Sequence, residues 1–136
     1  MDTKVREFFA RYEQANAEFN VADIASLYAD SFLFGGPGGA QSIKKEDFIK
    51  VLPRRKEFFK SVGLVSSKVE RVETSELDSH YILAKVVWKI RIERADQAPT
   101  EIETSASYLL FNSANSFQIV FQVDHQDLAA KIREFA

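Results

Sequence analysis

Cysteine is absent from the 136 residues. Disulfide frameworks, thiolate nucleophiles and thiolate zinc sites are excluded together, and the absence is compatible with any compartment. Histidine is scarce, with His80 and His125 the two in the chain. A metal site would have to combine both with carboxylates, and no HxH or HExxH spacing supports one, so neither metal nor cofactor is expected. An excess of charge of either sign is also missing. Eighteen basic against 20 acidic residues leave a net charge of −2, too balanced for the electrostatic footprint of nucleic-acid binding or for attraction to an anionic membrane. No apolar run approaches the ~20 residues of a membrane span, and the opening MDTKVREFF lacks a secretion signal's apolar stretch. A soluble cytoplasmic protein is the expectation.

Glycine is rare and concentrated: four of the five fall in GGPGG around Pro37. Glycines can let backbone N–H groups cradle a phosphate, but here no GK[ST] follows, no GxGxxG opens a helix, and Lys44 and Lys45 sit too far on to complete a P-loop. The run reads as a turn.

What is present is a core. Hydrophobic residues make up 46% of the chain, and 12 Phe against one Trp and one Met suggest a rigid, ring-lined interior in a single domain spanning residues 1–136. The chain is organised around His80 to Arg94, where Ala84, Val86, Trp88, Ile90 and Ile92 alternate with Lys85, Lys89, Arg91 and Glu93. A period of two in β-branched and aromatic residues is the mark of a long strand with one greasy and one charged face.

Ahead of it, Val5, Phe8, Tyr12, Ala15 and Phe19 form one stripe of an amphipathic helix. Asn20 can cap a second, with Ile24, Leu27 and Tyr28 sharing a face and Asp30 ending it. SFLF reads as a strand. From Ile43 to Val62 the pattern is helical, with Phe48, Ile49 and Leu52, then Phe58, Phe59 and Val62, on a broad apolar face. Pro53 removes a donor in the middle, which predicts a kink or two short helices closed near Gly63. Arg54, Arg55 and Lys56 form a basic run at that joint, either a solvated face or an anion contact at a pocket mouth.

Leu64 to Leu77 reads as a strand carrying a bulge. Beyond the central strand, Thr100 to Asn112 has two faces, both plausible for burial. Phe117 to Val123 reads as a last strand, and a short helix from about Asp124 carries Leu128, Ile132 and Phe135 on one side.

This order is that of an α+β domain whose curved antiparallel sheet wraps N-terminal helices, a cystatin-like cone with room for an internal pocket. In ASLYADSFLF, KKEDFIKVLPRRKEFF and FQIVFQVDHQDLAAKI the chain resembles the nuclear transport factor 2-like superfamily in its SnoaL-like branch. The resemblance covers nearly the whole chain. It implies a fold that serves steroid isomerases, polyketide cyclases, epoxide hydrolases, dehydratases and non-catalytic dimeric modules. Compared with the isomerase pattern, the oxyanion tyrosine falls on Tyr12, the general base on Gly36 and the proton-donating acid near Ser107. Glycine cannot take a proton, so isomerisation by that route is rejected.

Asp124-His125-Gln126-Asp127 is a second polar group. On a strand, Asp124 and His125 point to opposite faces, so one of them can look into the pocket while Asp124 alternatively caps the last helix. Ser31, Ser105 and Ser107 have no GxSxG context and no evident base.

Two expectations follow. The first is a small-molecule-binding domain, with cyclase, isomerase or hydratase chemistry left open, whose small apolar ligand is lined by Tyr12, Phe34, Phe58, Trp88 and Ser107; Tyr12, Asp124 and His125 are the candidates for chemistry. The second is a non-catalytic homodimeric interaction or accessory module, paired through a convex patch of Ile102, Ala106, Tyr108 and Leu110 with the pocket on the Ser107 side.

Overall fold

In the computed structural model, which describes residues 2–114 and 116–134, the chain opens with helix α1 (Asp2–Ala17), whose Val5, Phe8, Phe9 and Ala15 are buried. Asn20 caps α2 (Val21–Ser26), its side chain accepting from the Asp23 N–H at 3.1 Å. There follow β1 (Tyr28–Gly36), β2 (Gly39–Lys44), α3 (Lys45–Ser61), β3 (Leu64–Glu76), β4 (Tyr81–Ile92), β5 (Thr100–Ser113), β6 (Ser116–Asp124) and α4 (Leu128–Glu134). The strands form a single sheet in the order β2-β1-β6-β5-β4-β3. Neighbours are antiparallel except β1 and β6, which run parallel. The helices cover its concave face, and the core lies between.

β4 follows its alternation: Ile82, Ala84, Val86, Trp88, Ile90 and Ile92 are buried, and Lys85, Lys89 and Arg91 turn away. β3, at the sheet's edge, carries the expected bulges, after Leu64 and after Val69. A bulge leaves ladder groups without a partner, and here the Val69 N–H donates to Glu13 Oε1 of α1 at 2.6 Å, fastening the first helix to the edge strand. The charged residues of this edge (Lys68, Glu70, Arg71 and Glu73) protect it against pairing with another chain.

Five expectations are corrected. Tyr28 begins β1 rather than sharing a helical face with Leu27. GGPGG builds a hairpin, with Gly36 opposite Gly39, and Ile43 belongs to its second strand instead of to α3; GAQSIK shows little alternation because β2 is an edge strand, largely exposed, held by its backbone pairing to β1. Pro53 lies inside a single helix. The Ile49 carbonyl loses its donor there, but Phe48 and Leu52 before Pro53 and Phe59 and Val62 after it all pack on the core, holding both halves of the helix in place. The closure near Gly63 stands: φ is +94° at Gly63, and its N–H donates to the Lys60 carbonyl at 3.1 Å.

The last helix starts at Leu128, and its cap is Asp127, not Asp124: Asp127 Oδ1 accepts from the Ala130 N–H at 3.1 Å. Phe135 lies outside the described residues. Finally, the parity of β5 is the reverse of the expected one. Ile102, Ala106, Tyr108 and Leu110 are buried in the core, and Ser105, Ser107 and Leu109 face the convex side.

Candidate functional site

α3 presents Val51, Arg54, Arg55, Phe58 and Phe59 at steps of three and four, a single stripe of a helix. This stripe faces Phe34, Gly36 and Pro37 of the hairpin and Asp124, Gln126, Asp127, Leu128 and Ala129 at the junction of β6 and α4, enclosing a cavity of about 620 Å³ that opens to solvent. Val51 and Phe58 remain 50% and 41% exposed although both are large and apolar, because they form the cavity wall instead of filling the core. Arg55 lies over the Phe59 ring, its Cζ 5.1 Å from the centroid, a cation–π contact that holds the guanidinium against the wall.

Beneath the wall runs a line of polar side chains through the core. Trp88 Nε1 donates to Tyr108 Oη at 3.2 Å. Tyr108 and Tyr12 are hydrogen-bond partners, Tyr12 Oη lies 3.1 Å from Tyr28 Oη, and Tyr28 donates to Gln122 Oε1 at 2.6 Å. Gln122 Nε2 then donates to Asp124 Oδ1 at 3.1 Å. The direction of every proton follows. A phenol has one hydrogen, and that of Tyr28 goes to the amide oxygen, so Tyr12 donates to Tyr28 and Tyr108 donates to Tyr12. Reversing the Gln122 amide would set its oxygen against a carboxylate, so its orientation is determined too.

Burial raises the Tyr28 and Tyr108 phenols well above their ordinary value and raises Tyr12 as well. The Asp124 charge adds to the rise at Tyr12 and Tyr108, while Arg55 pulls Tyr12 and Tyr28 slightly down. All three therefore stay neutral donors near neutral pH.

The residues singled out in the sequence fall into three places. Phe34, Phe58 and Asp124 meet at the cavity wall. Contrary to expectation, Tyr12 and Trp88 lie deeper, their ring centroids 5.4 Å apart; the Tyr12 proton is committed to Tyr28, which takes it away from an oxyanion. Ser107 and His125 lie on the opposite, convex side, with Ser107 Oγ 2.7 Å from His125 Nε2. Asp124 and His125 do point apart. Ser107 does have a base beside it, which sequence could not reveal because the two residues stand 18 positions apart and meet only through the pairing of β5 with β6. Gly36 lies on the cavity wall, offering no proton acceptor at the isomerase base position.

The sequence reading did not include Gln122 among the site residues, although it is the link between the phenols and Asp124. No signal in the segment could have found it: alternation from Phe117 and Ile119 would turn Gln122 outward, and it is the register shift of β6 between Ile119 and Phe121 that brings it inward, where a buried amide must find partners. Among the described residues no group of three or more His, Asp and Glu side chains could hold a metal ion.

No curated protein matches the chain. Solved structures of similar fold include an NTF2-like protein with a cystatin-like fold from Novosphingobium aromaticivorans (TM-score 0.73, 10% identity, 96% of this chain and 87% of that one). Another is a ketosteroid isomerase-like protein from Erwinia carotovora atroseptica (TM-score 0.66, 16% identity, 90% and 93%). A third is the beta subunit of the benzoate 1,2-dioxygenase from Burkholderia mallei (TM-score 0.71, 14% identity, 93% and 90%). At these identities the likeness speaks for the fold alone. The family model described as NTF2-like protein (DUF6841) matches residues 2–127; with nearly its whole length matched and a helix-covered curved sheet of the same kind, the chain belongs to the NTF2-like family.

Proposed function

We propose that the chain is a small-molecule-binding domain whose ligand occupies the cavity beneath α3. The observation that carries this reading is the pair Val51 and Phe58, exposed on a concave wall with Phe34 and Leu128 also lining it. Apolar side chains lining a concavity of about 620 Å³ match the volume and chemistry of ligand pockets. Asp124, oriented by Gln122, is the polar group at the inner end. The isomerase route plays no part, since Gly36 supplies no base and Tyr12 no free proton.

The test is titration with an uncharged apolar fluorescent dye, together with mass spectrometry of the natively purified protein for a retained compound. Micromolar dye binding that Phe58→Ala weakens at least fivefold is the expected result. Absence of binding by any apolar dye, charged or uncharged, or binding indifferent to Phe58→Ala, would overturn the reading.

A second reading, a homodimer, is favoured by a different observation. Leu83, Leu109, Phe121 and Leu33 form one continuous row across β4, β5, β6 and β1 on the convex face, with Leu83 and Leu33 40% and 41% exposed. Tyr81 and Phe111 extend it by a second, adjacent pair. A two-fold partner presenting the same patch would cover it. Among the described residues no helix is long and apolar enough to cross a membrane. A cytoplasmic location is part of the proposal.

A further inference from the structure

Four charged side chains line the cavity, Arg54, Arg55, Asp124 and Asp127, and their commitments differ by sign. Asp124 Oδ1 accepts from Gln122 Nε2 and Asp127 Oδ1 accepts from the Ala130 N–H, each at 3.1 Å. The carboxylates are thus engaged in holding β6 and α4. The ion pairs among the described residues are Lys45 with Asp30, Arg71 with Glu73, Lys89 with Glu70 and Arg91 with Glu93; none includes Arg54 or Arg55. Arg55 rests on a ring, a contact that does not use its N–H fork. Two guanidiniums beside an apolar wall, with no carboxylate paired to them, are a receptor for an acid group, because a guanidinium binds a carboxylate through two parallel N–H bonds.

The same lining limits the charge of the guest. A second negative charge would approach Asp124 and Asp127. We infer that the pocket selects a monoanionic amphiphile, an aromatic or alicyclic body bearing one carboxylate or sulfonate, with the body on Phe34, Phe58 and Leu128 and the acid on Arg54 and Arg55. This rests on the reading of the cavity as a ligand pocket and adds the chemistry of what it takes.

Two dyes with one apolar body test it: anilinonaphthalene sulfonate and its desulfonated parent, phenylnaphthylamine, titrated by fluorescence into the full chain. The sulfonate is expected to bind at least tenfold more tightly, with a preference that shrinks as salt is added. The double variant Arg54→Gln/Arg55→Gln is expected to abolish the preference while leaving the uncharged dye's affinity within twofold. Arg54→Lys/Arg55→Lys, which keeps the charge without the fork, is expected to retain part of it, separating loss of recognition from loss of fold. Equal affinity for the two dyes, or a preference that survives the double Gln variant, overturns the inference while the pocket reading stands. Failure of both dyes to bind, or binding of both that Phe58→Ala does not weaken, overturns the pocket reading itself and the inference with it.

Discussion

Tyr28 donates its hydroxyl hydrogen to Gln122 Oε1 across 2.6 Å, joining residues 94 positions apart at the buried centre of the sheet. The first strand and the last are thereby linked by side chains as well as by their parallel backbone pairing. Everything else in the buried polar line takes its orientation from this bond, because it decides where the hydrogen of each phenol goes.

Tyr28→Phe removes that donor, leaving the Gln122 carbonyl and the Tyr12 hydroxyl without their partners. A destabilisation of about 1–3 kcal/mol is expected, the usual consequence of an unsatisfied buried group. Urea denaturation followed by circular dichroism measures it. A loss below about 0.5 kcal/mol would mean that water or a rearranged neighbour replaces the bond.

Stability should fall at high pH. Tyr12, Tyr28 and Tyr108 have folded-state values raised above the ordinary 10.0, chiefly by burial. Below that value both folded and unfolded chains keep the phenolic protons, and the stabilisation is complete. Above it the unfolded chain releases them while the folded chain still holds them, so stability is lost as pH rises through the raised folded values. Urea midpoints should therefore be insensitive to these phenols at neutral pH and drop beyond about pH 10. Tyr12→Phe should blunt the drop; an unchanged slope would remove Tyr12 from the account.

Among the glycines, Gly63 is the one where a side chain fits least. Its φ is +94°, and an added Cβ would lie 2.7 Å from the Glu93 carbonyl oxygen. That is backbone, in a turn whose Gly63 carbonyl already accepts from the Glu93 N–H at 2.8 Å, so little can give. Gly63→Ala is expected to cost at least about 1–3 kcal/mol by steric strain. Thermal melting checks it, and a stability within about 0.5 kcal/mol of the parent would show that the turn can rearrange.

The convex row offers a test of assembly. Leu83→Glu places a charge at its exposed β4 end and should convert a dimer to a monomer in sedimentation velocity with little change in urea midpoint. Tyr108→Glu, chosen if β5 had the opposite parity, should instead unfold the chain, since Tyr108 is 2% exposed and hydrogen-bonded to Trp88. A parent that sediments as a monomer at micromolar concentration would end the dimer reading.

The sequence by itself determined the local elements and the class of fold. The period-two run of β4, the stripe of α1, the Asn20 cap and the Gly63 stop are written in residues a few positions apart, where side-chain direction follows from backbone geometry alone. Other features required the tertiary structure. β5 closes on Tyr108, Leu109, Leu110 and Phe111, a run apolar on both faces that by itself fits either parity; Tyr108 faces inward because Phe9, Tyr12 and Trp88 wait there with rings and a donor. β2 has no apolar pattern of its own and exists through its backbone pairing with β1. Pro53 stays within α3 because core contacts on both sides offset the lost hydrogen bond. The cavity is the furthest from the sequence: Phe34, Arg55, Phe58 and Asp124 come from β1, α3 and β6, and no periodicity within one segment encodes which segments will face one another across a space.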